Sequence, residues 1–447
     1  MDQTISEILN FVKENDVKFI RLQFCDIFGN LKNISIMSSQ LEKAFRYGIS
    51  FDASSIKGFL SIDNSDLFLV PDPSTITILP WRPQEGRVAR FFCNIKKPDG
   101  TIFEGDCRNL LKKTVDELWK DNYTVKVGPE SEFYLFNTDD NARPTLEPQD
   151  NAGYFDVAPD DKGENIRREI CLTLEEMGLM PESSHHESGP GQNEIDFRYD
   201  NPLESADNFI TLKSVVRTIA NLNGLYATFM PKPLINESGS GFHINLSLFK
   251  DNKFIFKTAT DEHSKEAESF IAGIMYRIKE ITAVLNPTVN SYRRFGTFEA
   301  PKYITWSHRN RSQLIRIPAS SDEFSRMELR SADCLSNPYL AFTLLIQAGI
   351  EGIREKRKLP EAINKNICNL SEYNSKDSET YESLPENLGG AIYYFKNSTF
   401  VKRVLGNFIF DKYVEAKERE WEQFKSNNIE EKNCITKWET NNYFYKY

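Results

Sequence analysis

The chain is poor in several things, and each lack narrows what it can be. It has no excess of positive charge: 55 Lys and Arg stand against 65 Asp and Glu, a formal net charge of −10. General nucleic-acid binding needs a basic footprint and is excluded on that ground, whereas a phosphate ligand, which needs only local arginines, is not. It has no long apolar run. The most apolar stretch, YLAFTLLIQAGI over 339–350, is too short for a bilayer and carries Gln347, so no membrane span is expected. The opening MDQTISEILNFVKEN has neither a basic start nor an apolar core, and no secretory leader is expected. Seven cysteines are scattered without a C-x-x-C pair, which suggests reduced thiols in a cytoplasmic protein. Histidine is scarcer still, five in all, and there is no internal repeat or low-complexity tract.

What is present is regular patterning over a length too great for one ordinary core, so two domains are expected. Near the N-terminus Ile5, Ile8, Leu9 and Val12 recur at helical spacing behind Thr4, a suitable N-cap. KFIRLQF then alternates, with Ile20, Leu22 and Phe24 on one face and Arg21 and Gln23 on the other, as in a half-buried strand. GNLKNISI, TITILPW and VARFFCNI read as further strands, and KKPDGTIFEGD as a turn-rich boundary. A small, mostly β unit over 1–102 is expected, followed by a larger α+β unit over 103–447. In the larger unit, helical stripes over GENIRREICLTLEEMGL, 209–219, FIAGIMYRIKEITAVL, NPYLAFTLLIQAGIEGI and FDKYVEAKEREWEQFK alternate with short strands.

The chemistry concentrates on those strands. In GPESEFYLF, Glu130 and Glu132 lie two apart, hence on one strand face, where like charges are costly unless water or a cation compensates. In SHHESGPGQNEIDF, Pro190 and Gly191 break any helix, so Glu187 and Glu194 flank a turn and can converge. His185 and His186 there read equally as a polar hairpin's structural residues. SGSGFHINLS joins a small-residue loop to His243, and SRMELRS sets Glu328 and Arg330 on one strand face. Arg309, Arg311 and Arg316 make a basic cluster suited to an anion. His263 and His308 read as ordinary exposed histidines. Each feature alone fits a solvated surface or weak ion pairs. Together, carboxylates with one imidazole suit Mg²⁺ or Mn²⁺ better than structural zinc. Arginines beside two such ions describe phosphoryl transfer from a nucleotide, by a phosphotransferase or a ligase.

In their order along nearly the whole chain, FDASSIKGF, EGDCRNLL, GPESEF, GYFDVAP, HHESGPGQNEIDF, FMPKPL, GSGFH, NPTVNSY, EAP, NRSQLIRIPAS and MELRSADCLSNPYLA resemble the bacterial type I glutamine synthetases, in their Gram-positive-like short form. The resemblance implies a β-grasp-like N-terminal domain and a catalytic domain of antiparallel sheet surrounded by helices. It implies ligation of ammonia to L-glutamate by way of γ-glutamyl phosphate, with ATP as co-substrate. One metal would be held by Glu132, Glu187 and Glu194, and a second by Glu130, His243 and Glu328. Arg311 and Arg330 match arginines at the transferring phosphoryl group; Arg316 and Arg326 fall at nucleotide-phosphate positions, and Glu182, Asn245 and Ser247 at other nucleotide positions. Arg294, Ser238 and Gly239 match glutamate contacts. Asp52, from a neighbouring subunit, matches the acid that deprotonates ammonium, in a pocket with Ser55, Tyr154 and Glu187. Glu299 matches a flap glutamate that shields the intermediate. The assembly implied is a dodecamer of two hexameric rings, with the aromatic NNYFYKY tail docking into the opposite ring, and the class raises a nitrogen-regulatory protein as a further partner.

Some positions depart from the pattern. Ala53 replaces a glycine beside Asp52, Ser238 replaces an asparagine, and the flap NSYRRFGTFEAP is one residue short and lacks a proline. Cys368 stands where some members carry a modified tyrosine, so that modification is not expected, and Ser61 replaces a feedback-related arginine, implying weak or altered inhibition by glutamine. The same scaffold can serve a γ-glutamyl ligase taking an amine or polyamine, or a non-catalytic homologue. Asp52 with Glu299 favours ammonia over the first, and all six metal ligands argue against the second.

Overall fold

The alternation at Ile20, Leu22 and Phe24 becomes strand β1 (Val17–Cys25) behind helix α1 (Gln3–Glu14). This is a computed structural model in which residues 3–251, 253–256, 263–319, 325–365, 367, 381–427 and 434–445 are described; Cys368 lies outside them. With β2 (Leu31–Met37), β3 (Ile49–Asp52), β4 (Asp66–Pro71), β5 (Thr77–Ile78) and β6 (Arg87–Lys96), β1 forms one sheet in the order β2-β1-β6-β4-β3, with β5 on β6. Helix α2 (Leu41–Tyr47) packs on β4. The β1–β6 pair is parallel and the others are antiparallel. Gln23, expected on the solvent face, is instead buried. It shares that face with Arg90, whose Nη2 donates to Thr211 Oγ1 at 3.0 Å in the second domain, so both faces of the sheet are covered.

The second domain is built on a sixteen-residue strand, β7 (Tyr123–Thr138). The others are β8 (Pro144–Pro148), β9 (Pro181–His186), β10 (Gln192–Phe197), β11 (Leu225–Thr228), β12 (Phe242–Lys250), β13 (Lys253–Phe254), β14 (Trp306–His308), β15 (Ile315–Ile317) and β16 (Met327–Leu329). The main path runs β14-β15-β16-β12-β7-β10-β9. Helices α3 (Cys107–Lys120) and α5 (Pro202–Leu222) pack on β7 and α4 (Glu164–Glu176) on β9, α7 (Pro338–Arg354) packs on α3, α5 and α6 (Lys265–Leu285), and α8 (Leu388–Lys396), α9 (Thr399–Ser426) and α10 (Lys437–Glu439) follow. Local sequence explains where these helices start. Asn201 and Asn337 each precede a proline at the first helical position, and each side chain accepts two backbone N–H groups of the first turn, which satisfies donors a helix leaves unpaired.

Buried polar contacts clamp the two domains. Arg108 of α3 forks onto Asp207 of α5 at 2.8–3.1 Å and reaches Asp72 of the first domain at 2.9 Å. Asn337 Nδ2 donates to the carbonyls of Asp26 and Ile27. The C-terminal residues 436–445 lie against their own chain. Phe444 packs on Phe136 and Tyr226, and the Tyr443 hydroxyl donates to Glu420 at 2.7 Å.

Candidate active site

The hairpin β9–β10 turns over 187–191, and Gly191 takes φ +70°, a conformation costly for other residues. Its register sets Glu194 opposite His185 on one side and opposite Glu132 of β7 on the other. On the far side of β7, Glu130 faces His243 of β12, and Asn245 of β12 faces Glu328 of β16, which itself faces Arg316 of β15. Strands β10, β7 and β16 therefore deliver acids to one patch, and β12 and β15 set His243, Asn245 and Arg316 beside them, because each keeps the two-residue alternation.

Two groups result. Ligand atoms of Glu130, His243 and Glu328 all lie within 4.8 Å of one another. Glu194 stands in one such group with Glu132 and His243 and in another with His185 and Glu187. It is the carboxylate common to both halves of the remaining site. His185 Nε2 is 3.4 Å from Glu194, so this histidine enters the cluster. His186 turns inward instead, with Nε2 3.0 Å from buried Asp150 and Nδ1 2.7 Å from the Glu187 carbonyl.

The electrostatics differ between the halves. Burial pushes Glu130 up, but His243 and the Asn245 amide, which donates to it at 2.8 Å, overturn this and hold it down at about 2. Glu328 is clamped by Arg316 Nη1 at 2.6 Å and by Arg330 Nη1. Burial, then the charge of Glu132, raises Glu187 to about 8. Burial with four neighbouring acids, Asp196 first, pushes Glu194 well up. Hard oxygen donors that repel one another in a buried site are what a divalent cation relieves, so the residues fit Mg²⁺ or Mn²⁺.

Around this patch Arg330 also lies 3.5 Å from Glu299, which is 63% exposed, while its Nε donates to the Arg311 carbonyl at 2.9 Å. Arg326 Nε donates to Asn245 Oδ1 at 2.8 Å, and Ser247 Oγ to the Ser325 carbonyl at 3.2 Å. Arg294 is buried, donates Nη1 to the carbonyls of Ser331 and Ala332, and has no partner at Nε among the described residues. A Cβ on Gly239 would come 2.5 Å from Arg294 Cγ, so only glycine lets the arginine cross there. Tyr154 is half exposed, stacked on Phe155 with ring centroids 4.2 Å apart and edge-on to His185.

Other expected residues stand apart. Glu182 is exposed at the start of edge strand β9. Asp52 ends β3 in the other sheet, exposed, with its carboxylate held below the usual range by the Ser54 hydroxyl and amide. Ala53 follows in a right-handed turn with its N–H on the Ser65 carbonyl, so it needs no glycine. His308 is exposed as expected, but His263 is half-buried, 5.1 Å from the His308 ring and 5.9 Å from Trp306.

Gln192 was not singled out in the sequence. It is fully buried, donates Nε2 to Glu132 at 3.0 Å and to the Gly239 carbonyl at 3.2 Å, and accepts the Ser238 hydroxyl. With the Gly241 N–H, 2.8 Å from Glu132, it fixes that carboxylate. The signal available was its place two before Glu194 on the same strand face.

Acids on an antiparallel sheet, flanked by arginines and joined to a small β domain, define a two-domain, cation-dependent enzyme of phosphoryl-transfer type. The family pattern for the glutamine synthetase β-grasp domain matches residues 16–98, and that for the glutamine synthetase catalytic domain matches 104–443. A glutamine synthetase of Clostridium saccharobutylicum is 48% identical over 99% of both chains. One of Methanosarcina mazei is 47% identical over 98% of this chain and 97% of its own, and one of Staphylococcus aureus 43% over 99% of both. A solved structure described as "GmaS/ADP complex-Conformation 1" superposes with a TM-score of 0.85 at 26% identity, covering 98% of this chain and 99% of that one. The chain belongs to the glutamine synthetase family, in its bacterial type I class. Its activity is ATP-dependent ligation of ammonia to glutamate. Among the described residues no helix is long and apolar enough to cross a membrane.

Proposed function

We propose the following division of labour for the synthesis of L-glutamine from L-glutamate, ammonia and ATP. The observation that carries it is the convergence of Glu130, Glu132, Glu187, Glu194, His243 and Glu328 beside Arg316 and Arg330. A carboxylate is a poor electrophile because its leaving group is oxide, so the γ-carboxylate is first phosphorylated. Glu132, Glu187 and Glu194 would hold one Mg²⁺ or Mn²⁺ and Glu130, His243 and Glu328 another, supplying positive charge to the phosphates and the γ-carboxylate.

The chain's own groups do the rest. Arg330, deeply buried and held between Glu328 at Nη1 and the Arg311 carbonyl at Nε, is a pre-oriented donor to the transferring phosphoryl group, and Arg311 flanks it. Arg316 and Arg326 face the nucleotide phosphates, and Glu182, Asn245 and Ser247 the nucleoside. Arg294 takes the α-carboxylate of glutamate with its uncommitted Nε, and Ser238 and Gly239 line the same subsite. Ammonium, the dominant species at neutral pH, is drawn by Asp52 of a neighbouring copy with Ser55, Tyr154 and Glu187, and Asp52 takes its proton. Ammonia then attacks the acyl carbon and phosphate leaves. Glu299 closes over the intermediate and keeps water out. Asp52 stands exposed on the other sheet, which favours its being lent to a neighbouring copy, and the assembly proposed is a dodecamer of two hexameric rings in the cytoplasm. The test is phosphate and glutamine release with ATP, Mg²⁺ and glutamate, varying ammonium against a panel of amines. Glutamine formed with ammonium is expected, and turnover only with an amine refutes the reading.

A further inference from the structure

The loop that carries Glu299 is anchored from an unexpected direction. Residues 294–300 close on themselves: Gly296 N–H donates to the Ala300 carbonyl at 3.0 Å and Thr297 Oγ1 to the Arg294 carbonyl at 2.7 Å. Beneath them lies Lys232, wholly buried. Its ammonium donates to the Glu237 carbonyl and to Thr297 Oγ1 and sits 4.6 Å from the Phe298 ring centroid. The backbone of Lys232 is read by one side chain: Asn290 accepts its N–H at 2.7 Å and donates to its carbonyl at 3.0 Å.

Asn290 in turn donates to Glu439 Oε1 at 3.1 Å, and Arg293 forks onto the same carboxylate at 2.6 and 2.8 Å. Glu439 is fully buried, at the end of α10. Its second oxygen accepts Thr436 N–H at 3.0 Å in a capping box. Tyr443 accepts the Val289 N–H at 3.2 Å, and Lys417 of α9 donates to the Pro287 carbonyl at 2.6 Å. A C-terminal segment could dock through Phe444 and Tyr443 alone. Burying a full carboxylate is costly unless every oxygen is met, and what it contributes is direction: only one placement of 290–293 satisfies it.

We propose that Glu439 and Lys232 are positioning residues for the loop that bears Glu299, so that the C-terminal segment sets how tightly the acyl phosphate is sealed from water. This deepens the proposed function and rests on the shielding role given there to Glu299. Loosened, the loop admits water to γ-glutamyl phosphate. Water oxygen bonds the acyl carbon, the C–O bond to phosphate breaks, phosphate departs and a proton goes to solvent. Glutamate is regenerated, and the net reaction is ATP and water to ADP and phosphate.

The experiment uses the full chain and measures phosphate released per glutamine formed. Glu439→Gln, which keeps the shape and loses the Arg293 ion pair, is expected to raise that ratio at least threefold over wild type with KM for ATP unchanged. Thr297→Val, which removes the upper end of the brace at a loop position, is expected to act the same way. A purely structural role for Glu439 would lower the melting temperature and leave the ratio alone. An unchanged ratio in both variants overturns the proposal. Hydrogen exchange separates it from the ligase reading. Amides over 294–300 are expected to exchange about tenfold faster in both variants, with β7 unaffected, and equal exchange overturns the brace whatever the wild type synthesises. Wild-type protein that forms no glutamine refutes the ligase reading alone.

Discussion

Replacing Glu187 by glutamine is expected to stabilise the metal-free protein and weaken the metal-loaded one. Burial and the charge of Glu132 raise Glu187 from 4.5 to about 8. For a group raised on folding, the stabilising contribution is complete below the unfolded value and is lost as pH rises through the folded one. At about 1.4 kcal/mol per unit, the native state at pH 7.5 forfeits up to about 4 kcal/mol relative to mild acid. Glu132 and Glu194 share the repulsion, so Glu187→Gln recovers a part of this, about 1–3 kcal/mol. The assay is thermal unfolding in EDTA at pH 5.0 and 7.5, then in excess Mg²⁺. The variant should melt near wild type at pH 5.0 and about 1–3 °C above it at pH 7.5, and the order should reverse in Mg²⁺, because a neutral amide is the poorer ligand. A variant that melts at or below wild type in EDTA at pH 7.5 refutes the claim that the carboxylates are strained without a cation.

Three other outcomes follow from single contacts. Gln192→Leu removes the amide that fixes Glu132 and meets Ser238. Metal affinity should fall about 10- to 100-fold, as for other residues that orient ligands, read by isothermal titration with Mn²⁺. Arg108→Met leaves Asp207 and Asp72 uncompensated between the domains. It should cost about 3–5 kcal/mol in thermal unfolding, with turnover near wild type at low temperature. Asp52→Ala should cut ammonium-dependent glutamine formation much more than ATP binding measured by nucleotide titration, and equal losses would count against its assigned role.

The parts of this chain legible in sequence are those where one period decides. Ile20–Leu22–Phe24 and Glu130–Glu132 sit on strands as their spacing implies, and Glu328 does too, with Arg330 just past the end of its strand. The Asn-Pro pairs at 201–202 and 337–338 open α5 and α7, and at positive φ Gly178 follows the end of α4 and Gly224 that of α5. What escaped depended on partners distant in sequence. Gln23 is buried because α5 covers its face of the sheet, which no local pattern encodes. His185 joins the acids through hairpin register, readable once the turn is fixed at 187–191 but invisible in the dipeptide His185–His186. The aromatic tail packs on Phe136 and Tyr226 of its own chain, contacts more than two hundred residues away that no local pattern encodes. Ala53 looked troublesome beside its family pattern, and its right-handed backbone removes the difficulty.

The two halves of the acid cluster should also bind cations unequally. Around Glu130, His243 and Glu328 the charge is already answered: Glu130 is held down at about 2, and Arg316 and Arg330 grip Glu328. Around Glu132, Glu187 and Glu194 the nearest titratable side chain that is not an acid is His185, 3.4 Å from Glu194, which burial keeps toward its neutral form, so acid is in excess. The second half should therefore bind a divalent cation more tightly, and more steeply with pH, because a proton must leave the cluster for the ion to enter. Titration with Mn²⁺ is expected to resolve two phases. The tighter should weaken by up to about tenfold per unit as pH falls below 8, the looser little. Glu187→Gln should flatten the pH dependence of the tighter phase, whereas Glu328→Gln should alter only the looser. A single phase, or two phases with the same pH slope, would mean that the arginines at Glu328 do not divide the site as argued.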